Sequence, residues 1–371
     1  MKGSVRKDGS SWLYEVTVNT DPITNKRTRK KKRGFKTKRE AEKALAALIT
    51  TVDSGKYIES STMLFEEYLQ EWFQTKRSQI GKQTAKNYES NILHHIIPYL
   101  GKNPLSKLNT PIIQKFINSL VDKGLSNATI KKIYNILNNA IQKAFNLELI
   151  SKNIASMVEL PQVVRIEMKV WSIDEVKLFL KAAKESRYYI AFHLAITTGV
   201  RQGELLALRW KDVDLERGTI HIRQTLSHDG KEFLSGAKTA SGIRPISLLS
   251  ETINMLKKHK TTIVKEKLKA GTDYNDNDLV VCTCFGTVLT PRNLTRTFKG
   301  LIEKANVPII RFHDLRHTHA TSLLIEGIHP KIVAERLGHS RVSMTLDIYS
   351  HVLPNMQKEA AEKLNKSLFG C

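Results

Sequence analysis

The most informative segment of this chain is His313-Asp314-Leu315-Arg316-His317-Thr318-His319-Ala320-Thr321. His313 and Arg316 are three positions apart, so on a helix they lie on one face. An alternative pair, His313 and His317, has the four-residue spacing that could bind zinc. No glutamate follows His313, and no group of carboxylates accompanies the two histidines. The sequence therefore favours a histidine–arginine site, and we predict no metal ligands.

A tyrosine stands in an unusual context shortly after this segment. Leu337-Gly338-His339-Ser340 is followed by Thr345-Leu346-Asp347-Ile348-Tyr349-Ser350-His351. Of the ten tyrosines in the chain, Tyr349 is the only one that lies ten residues after a Gly-His pair. Alternatively, Tyr349 is an ordinary aromatic residue on the surface of a helix.

Two earlier segments supply further charged residues. The first is Thr197-Thr198-Gly199-Val200-Arg201-Gln202-Gly203-Glu204-Leu205, in which glycines let the backbone come close and Glu204 follows Arg201 by one turn. Alternatively, Arg201 and Glu204 form a surface ion pair at the start of a helix. The second is Gly236-Ala237-Lys238-Thr239-Ala240-Ser241-Gly242, which predicts a lysine at the tip of a hairpin. The alternative there is an ordinary exposed lysine in a turn.

The charge of the whole chain indicates a polyanionic partner. Its 371 residues carry 59 basic and 36 acidic side chains, a formal net charge of +23. Nucleic acid is the default partner for such a protein, and an anionic membrane surface is the rival. The sequence contains no run of about 18 apolar residues, the length that a membrane-spanning helix needs. No apolar segment follows the N-terminus as it would in a signal peptide. The three cysteines indicate a reducing cytoplasm rather than a disulfide framework.

These residue types fit the cleavage of a phosphodiester without a metal. That reaction needs a nucleophile, positive groups on the non-bridging oxygens and an acid for the leaving oxygen. Arginine suits the second role because its planar fork grips two oxygens and stays charged.

The order of these segments resembles the tyrosine recombinase family, of the phage-integrase type. Arginine, lysine, His-x-x-Arg, Gly-His and tyrosine follow one another as in that family. The phrases TTGVRQGELLALRW, HDLRHTHAT, LGHS and TLDIYSHV match the family pattern closely. The match fills every signature position of the catalytic half. The layout of the rest is similar to integrases of mobile elements, on the looser basis of pattern and charge.

The resemblance implies a mechanism and a role for each signature residue. Tyr349 would attack the scissile phosphate and form a 3′-phosphotyrosine link, and Lys238 would protonate the leaving 5′-oxygen. The phosphate would be held by Arg201 and Arg316, with Glu204 orienting its neighbours. As for the histidines, His313 would act as a base or phosphate donor, and His339 would donate to a non-bridging oxygen. No ATP, metal or other cofactor is then required.

The first unit, about residues 1–55, is predicted to form three short strands and a helix. Trp12, Tyr14, Val16 and Val18 alternate with other residues as in a strand. Turns are indicated at Asp8-Gly9 and from Asp21 to Asn25.

Thr37 and Glu40 form a capping box before a helix with Ala41, Ala44, Leu45 and Leu48 on one face. The basic run between the second turn and the capping box is either a solvated tail or a DNA-contact surface. Because turns and an aromatic strand frame this run, the sequence favours a DNA-contact surface. We predict as DNA-binding residues Arg27, Arg29, Lys30, Lys31, Lys32 and Arg33.

The second unit, about residues 62–158, is predicted to be helical. Tyr88, Ile92 and Ile96 share a helical face until Pro98 stops the run. Thr110-Pro111 marks another helix start. A strong period of 3.6 predicts a buried helix face made of Ile130, Ile133, Leu137, Ala140, Ile141 and Ala144. The segment Leu160-Pro161-Gln162 looks like a linker.

The third unit, about residues 165–371, is predicted to mix helices and strands. Ser172 and Glu175 form a capping box that opens a helix, and 220–223 alternates as a strand. Ile243, Ile246 and Leu248 lie in a second extended segment broken by Pro245. The predicted fold class is therefore multidomain and mainly α with small β-sheets, comprising an N-terminal arm-type domain, a helical core-binding domain and a mixed α+β catalytic domain.

By this resemblance the partners are double-stranded DNA attachment sites, bound by four protomers in the cytoplasm of a bacterial host. Accessory bending or directionality factors are typical of the family, and no membrane partner is expected. Helically spaced Ala360, Leu364 and Leu368 in the C-terminal tail predict packing on a neighbouring protomer or on the chain's own core. The rival enzyme is a DNA-relaxing protein like the type IB topoisomerases, which shares the chemistry without needing two defined sites. A metal-dependent nuclease and a DNA-binding regulator that has kept the fold are the remaining rivals.

Overall fold

A computed structural model of the chain describes residues 3–20, 27–53, 62–164, 168–235, 242–349 and 354–370. Within these residues the chain is mainly helical, with small antiparallel sheets. This confirms the predicted fold class. The chain divides into two compact units, which are called the first and the second unit from here on: Met1–Arg165, which contains both of the segments 1–55 and 62–158, and Ile166–Cys371.

The first unit begins with a three-stranded sheet and continues in helices. Its strands are β1 (Gly3–Asp8), β2 (Ser11–Thr20) and β3 (Arg27–Phe35). Its helices are α1 (Lys38–Asp53), α2 (Phe65–Arg77), α3 (Lys82–Asn91), α4 (Ile97–Leu100), α5 (Thr110–Asp122) and α6 (Asn127–Asn146).

The N-terminal sheet has the order β1-β2-β3, with neighbouring strands antiparallel. The predicted turn at Asp8-Gly9 is confirmed, because Asp8 pairs with Ser11 across it. The helix cap is partly as predicted: Glu40 N–H donates to Thr37 Oγ1, but the Glu40 carboxylate accepts from the backbone of Lys36. Helix α1 packs Leu45 on the sheet beside buried Tyr14. The second predicted turn, residues 21–25, lies outside the described residues.

Helix α3 does not end at Pro98, so that prediction is wrong. A π-helical turn over Ile92–Ile96 connects α3 directly to α4, and Pro98 lies in the first turn of α4. Proline lacks a backbone N–H and is tolerated at a helix start, where no donor is needed. The wider π turn provides such a new start inside a continuous helical segment.

The remaining helices of this unit follow the sequence pattern. Helix α5 begins as predicted at Thr110-Pro111, and Asn109 caps it by accepting from the N–H of Ile112 at 3.0 Å. All six apolar residues predicted for the buried face of α6 are buried. The segment after α6 is hydrogen-bonded to the helices, since Asn127 Nδ2 donates to the carbonyl of Gln162 at 2.8 Å.

The second unit combines nine α-helices in its described part with two small sheets. The helices are α7 (Ile173–Ala183), α8 (Tyr189–Thr198), α9 (Gln202–Leu206), α10 (Ser250–Ala270), α11 (Pro291–Ala305), α12 (Asp314–Ile325), α13 (Pro330–Leu337), α14 (Val342–Tyr349) and α15 (Pro354–Phe369). The strands are β4 (Val213–Asp214), β5 (Thr219–Ile222), β6 (Gln224–Leu226), β7 (Phe233–Ser235) and β8 (Arg244–Ser247). The predicted capping box at α7 is confirmed by reciprocal hydrogen bonds between Ser172 and Glu175.

The two sheets have a different connection from the single hairpin that the sequence predicts. Strand β5 pairs with β8 in the sheet β4-β5-β8, and β6 pairs with β7 in a separate hairpin. The described strands on either side of the segment that contains Lys238, β7 and β8, therefore belong to different sheets. Lys238 itself, like the whole of 236–241, lies outside the described residues.

Strand β8 runs through Pro245, which pairs with His221, so the predicted break at this proline is wrong. Ile246 is buried, but Ile243 is 57% exposed, and Arg244 lies in the interior with 6% of its surface exposed. Ile243 precedes the strand, and within the strand the buried Arg244 and Ile246 alternate with the exposed Pro245 and Ser247.

Aromatic rings fill the core that supports α8, α11 and α12. Phe298 of α11 contacts Phe179, Phe192 and Phe312 with ring centroids 5.4 to 5.9 Å apart. Trp171 closes the cluster 4.9 Å from Phe179. A core of this kind fixes the three helices against one another, because ring–ring contacts are both large and directional.

Candidate active site

Arg201 lies at a corner between α8 and α9. Gly199 ends α8 in the left-handed conformation, with φ of 65°, and a Cβ there would lie 2.6 Å from the ring of His319. Arg201 then precedes α9 and donates from Nη1 to Glu204 at 2.7 Å and from Nη2 to the carbonyl of Gly338 at 3.2 Å. The glycine permits the tight approach that places this arginine beside α13.

Arg316 approaches the same corner from α12. Its side chain is buried, donating from Nη1 to the carbonyl of Gly199 at 2.9 Å and from Nη2 to the carbonyl of Leu337 at 2.7 Å. The two arginines thus both bind the carbonyl end of α13, which carries the negative end of the helix dipole.

Glu204 connects Arg201 to a second buried arginine. Its carboxylate is 2.9 Å from Nη2 of Arg244, and both side chains are about 95% buried, with exposures of 5% and 6%. Burial alone would raise the pKa of Glu204, but hydrogen bonds and charge from Arg244, and then from Arg201, lower it below its usual value. The ionised Glu204 therefore holds both guanidinium groups in place.

The predicted histidines of this region are held neutral. Burial, followed by the charges of Arg316 and Arg201, lowers the pKa of His339 to about 4. Burial and the charge of Arg316 also lower the pKa of His313. The Nδ1 atom of His339 lies 2.8 Å from Thr345 Oγ1. If this nitrogen accepts from the threonine hydroxyl, the Nε2 atom carries the proton and can donate.

The structure brings together five of the residues that the sequence singles out. Arg201, Glu204, His313, Arg316 and His339 form one cluster: Arg201 donates to Glu204, and the charges of Arg316 and Arg201 help to lower the pKa of His313 and of His339. Tyr349 is the last residue of α14, three residues after Leu346. The side chain of Tyr349 and the whole of Lys238 are not among the described parts of the chain.

Two arginines of this cluster were not predicted from the sequence. Arg244 pairs with Glu204 and donates to the carbonyl of Arg336 at 2.7 Å. Arg336 donates to His319, to the carbonyl of Ser247 and to that of Thr197. In a chain with 59 basic residues, neither stands out. The one available signal is that each lies within a few residues of a predicted site residue or segment.

The arrangement suits an anion. Glu204 binds two arginines, Arg201 and Arg244, while Arg316 and Arg336 bind neighbouring backbone carbonyls, and the pKa of each nearby histidine is lowered. Clustered guanidinium groups attract phosphate because they donate several hydrogen bonds in a fixed geometry. His313 and His317 lie with ring centroids 5.0 Å apart, and the described residues contain no group of three or more potential metal ligands.

The basic run of the first unit forms strand β3, with Arg29, Lys31 and Arg33 exposed. Arg29 lies 3.8 Å from Glu15 and Arg33 lies 3.4 Å from Asp8, both ion pairs across the sheet surface. Lys32 packs over the ring of Phe35 at 5.7 Å, and Lys30 is half-buried. Arg27 begins the strand, and its side chain is not described. The run is thus part of a folded surface rather than a tail.

With this fold and this site, the chain belongs to the phage integrase family, which its sequence matches over residues 169–356. It also matches the phage integrase N-terminal SAM-like domain over residues 64–121 and the Arm DNA-binding domain over residues 4–52. It is 31% identical to the tyrosine recombinase XerC-like protein of Caldanaerobacter subterraneus subsp. tengcongensis, over 97% of both chains. It is 27% identical to the ICEBs1 integrase of Bacillus subtilis, over 98% of this chain and 100% of the relative.

Solved structures show the same fold. The Tn1549 transposon integrase in complex with a circular intermediate DNA superposes with a TM-score of 0.70 at 21% identity, covering 81% of this chain and 99% of that one. A lambda integrase dimer bound to a COC' core site has a TM-score of 0.58 at 22% identity and covers 93% of each chain. In the described part of this chain, no helix has both the length and the apolar character that crossing a membrane requires.

Proposed function

We propose that this protein is an integrase that cuts and rejoins DNA at specific sites through a 3′-phosphotyrosine intermediate. The observation that carries the proposal is the convergence of Arg201 and Arg316 at the corner next to His313 and His339. Such a cluster supplies several hydrogen-bond donors to one phosphate, and Tyr349 lies ten residues beyond His339.

In the proposed reaction the phenol oxygen of Tyr349 attacks the scissile phosphorus, and the bond from phosphorus to the 5′-oxygen breaks. Arg201 and Arg316 hold the non-bridging oxygens and stabilise the charge of the pentacovalent transition state. His313, which is neutral because its pKa is lowered, takes the phenol proton or donates to the phosphate. His339 donates to a non-bridging oxygen, and Lys238 protonates the leaving 5′-oxygen.

The second half of the reaction reverses the first. A 5′-hydroxyl of a partner strand attacks the phosphotyrosine and releases Tyr349, so the energy of the broken bond is conserved and no ATP, metal or other cofactor is consumed. Two rounds of exchange pass through a four-way Holliday junction. The reaction therefore needs two double-stranded DNA sites and four protomers. It integrates or excises a mobile element in a bacterial host, with accessory bending or directionality factors as further partners.

The division of labour along the chain follows the same proposal. Residues 1–55 bind arm sites through the basic face of β3, residues 62–158 bind the core site, and residues 165–371 perform the chemistry. The exposed Arg29, Lys31 and Arg33 support the first assignment, since cationic side chains on one folded surface displace counterions from DNA. The matches to Arm and SAM-like domains support the first two.

The test is a nicked half-site substrate, incubated with the protein and separated on a denaturing gel. The wild type should give a protein–DNA band that resists denaturation, also in excess chelator. Tyr349→Phe should abolish the band, because phenylalanine has no nucleophilic oxygen. The matched control is Tyr99→Phe, a 43% exposed tyrosine of α4 that should leave the band unchanged.

Three results would contradict the proposal. A band that persists in Tyr349→Phe would place the nucleophile elsewhere. Cleavage that stops in chelator would indicate a metal-dependent nuclease. Relaxation of a supercoiled plasmid that lacks attachment sites would favour a topoisomerase-like activity.

A further inference from the structure

Arg336 of α13 connects three other elements of the second unit. Its Nε donates to His319 Nε2 of α12 at 3.1 Å, and its Nη1 donates to the carbonyl of Ser247 in β8 at 3.0 Å. Its Nη2 donates to the carbonyl of Thr197 near the end of α8 at 3.1 Å. One guanidinium group thus fixes the elements that carry or flank the other arginines of the site.

Arg336 is an unfavourable residue at its position if only the stability of the fold is considered. It is half-buried, and it makes no ion pair among the described residues. Burial and then the charge of Arg244 lower its pKa. An unpaired cation in such surroundings destabilises a fold relative to an apolar residue of similar size. Its three directed hydrogen bonds therefore point to a requirement for geometry.

His319 transmits this geometry to the α8–α9 corner. Its Nε2 accepts from Arg336, so the proton must lie on the other ring nitrogen, and the ring also hydrogen-bonds the backbone of Ile196. The ring contacts the corner so closely that a Cβ on Gly199 would lie 2.6 Å from its Cδ2 atom. Because His319 and Arg316 are both in α12, the ring and the Arg316 guanidinium clamp Gly199 from one helix.

We propose that Arg336 is a positioning residue that acts through His319 to set the Gly199–Arg201 corner, and hence the alignment of Arg201 and Arg316 on the phosphate. The inference rests on the proposed strand-cleavage function. It assigns Arg336 no contact with DNA. Its removal should therefore slow the chemical step without weakening DNA binding.

The first test compares Arg336→Met with Glu335→Ala. Methionine keeps an unbranched side chain of similar length but removes all three donors. Glu335 is the exposed neighbour on the same helix and serves as the matched control. Each variant is mixed with a saturating concentration of a suicide half-site DNA substrate, at a temperature well below the melting temperature of the protein variant. The burst amplitude then gives the active fraction, and the single-turnover rate gives the chemistry of that fraction.

For Arg336→Met we expect a cleavage rate lower by about 10²-fold, the loss typical of a displacement of about 1 Å in a catalytic group. The DNA Kd and the burst amplitude should stay near those of the wild type. A purely structural role would reduce the amplitude and the melting temperature and leave the rate of the active fraction unchanged. That result would overturn the inference.

The second test asks whether Arg336 acts through His319. His319→Phe keeps the ring against Gly199 but removes the acceptor, so it should also slow cleavage. The double variant should be about as slow as Arg336→Met alone, because both changes break one connection. If the loss of rate in the double variant equals the product of the losses in the two single variants, the two residues act separately. That result would overturn the inference. If the wild type and Glu335→Ala form no covalent complex, the proposed function itself fails.

Discussion

The carboxylate of Glu204 binds the guanidinium of Arg244 through two hydrogen bonds of 2.9 and 3.3 Å, although the residues lie 40 positions apart. The same carboxylate binds Arg201. Glu204 therefore links Arg244, an interior residue outside the family signature, to a signature arginine. Removing one partner of a buried pair leaves the other charge uncompensated, which is far more damaging than losing a surface pair.

Glu204→Gln should therefore lower the free energy of unfolding by about 3 kcal/mol, because Arg244 then lacks its counter-charge in the interior. Urea-induced unfolding measures the change. The control Glu303→Gln, at an exposed position of α11, should stay within about 0.5 kcal/mol of the wild type. Equal stability of the two variants would show that the buried pair contributes nothing.

Gly199→Ala should impair both folding and cleavage. The position has a φ of 65°, and the new Cβ would lie 2.6 Å from the His319 ring and 2.7 Å from Leu337. We expect a loss of more than about 1–2 kcal/mol from the backbone alone. Gly300→Ala in α11 is the control, since no atom lies within 4 Å of its Cβ, and it should stabilise by about 0.5–1 kcal/mol. Thermal melting of both variants checks the pair.

The buried His319 should make the protein less stable in mild acid. Burial, and then the charge of Arg336, lowers the pKa of its ring from 6.5 to about 3. Between these values the unfolded chain binds a proton that the folded chain does not. The stabilisation is complete above pH 6.5 and decreases towards pH 3, by about 1.4 kcal/mol per pH unit for one such group.

His319→Phe should accordingly flatten the dependence of the unfolding free energy on pH below 6.5. The measurement is urea unfolding at several pH values between 4 and 7, and the exposed His228→Phe is the control that should keep the wild-type slope. An unchanged slope in His319→Phe would mean that this ring is protonated in the folded protein.

The C-terminal helix α15 should serve synapsis rather than cleavage. Its side chains Leu364, Leu368 and Phe369 are 58%, 63% and 72% exposed. Apolar side chains in such positions favour contact with a second protomer over the chain's own core. Deleting the residues after Asn355 should leave cleavage of suicide substrates intact but weaken synaptic complexes in native gels. The control Lys366→Ser should synapse normally, and normal synapsis by the truncated protein would refute the idea.

Strand β3 should set the salt dependence of binding to arm-site DNA. Replacing Arg29, Lys31 and Arg33 with alanine should reduce the slope of log K against log salt by about 0.9 for each phosphate that the strand no longer binds. A control with the same change in charge replaces Lys38, Arg39 and Lys43 of α1, all exposed. Identical slopes for both triple variants would indicate that only net charge matters.

The sequence predicts the periodic elements well and the buried polar network poorly. The α6 stripe and the α7 capping box are confirmed because each depends on neighbours within one turn. Arg244 and Arg336 could not be predicted, since Glu204 lies 40 positions from Arg244, and His319 and Thr197 lie 17 and 139 positions from Arg336. Pro98 misled for a related reason: a π turn upstream, which no short-range pattern indicates, gives the proline a helix start of its own.

Arg201 and Arg316 bind the carbonyls of Gly338 and Leu337, just ahead of the helix that ends at Tyr349. A guanidinium that shifts to bind a phosphate would therefore pull on the peptide that leads to Tyr349, the proposed nucleophile. Binding of the phosphate and movement of the attacking oxygen would then be coupled through the same stretch of backbone. Such coupling would favour strand cleavage by protomers in which the scissile phosphate is correctly bound.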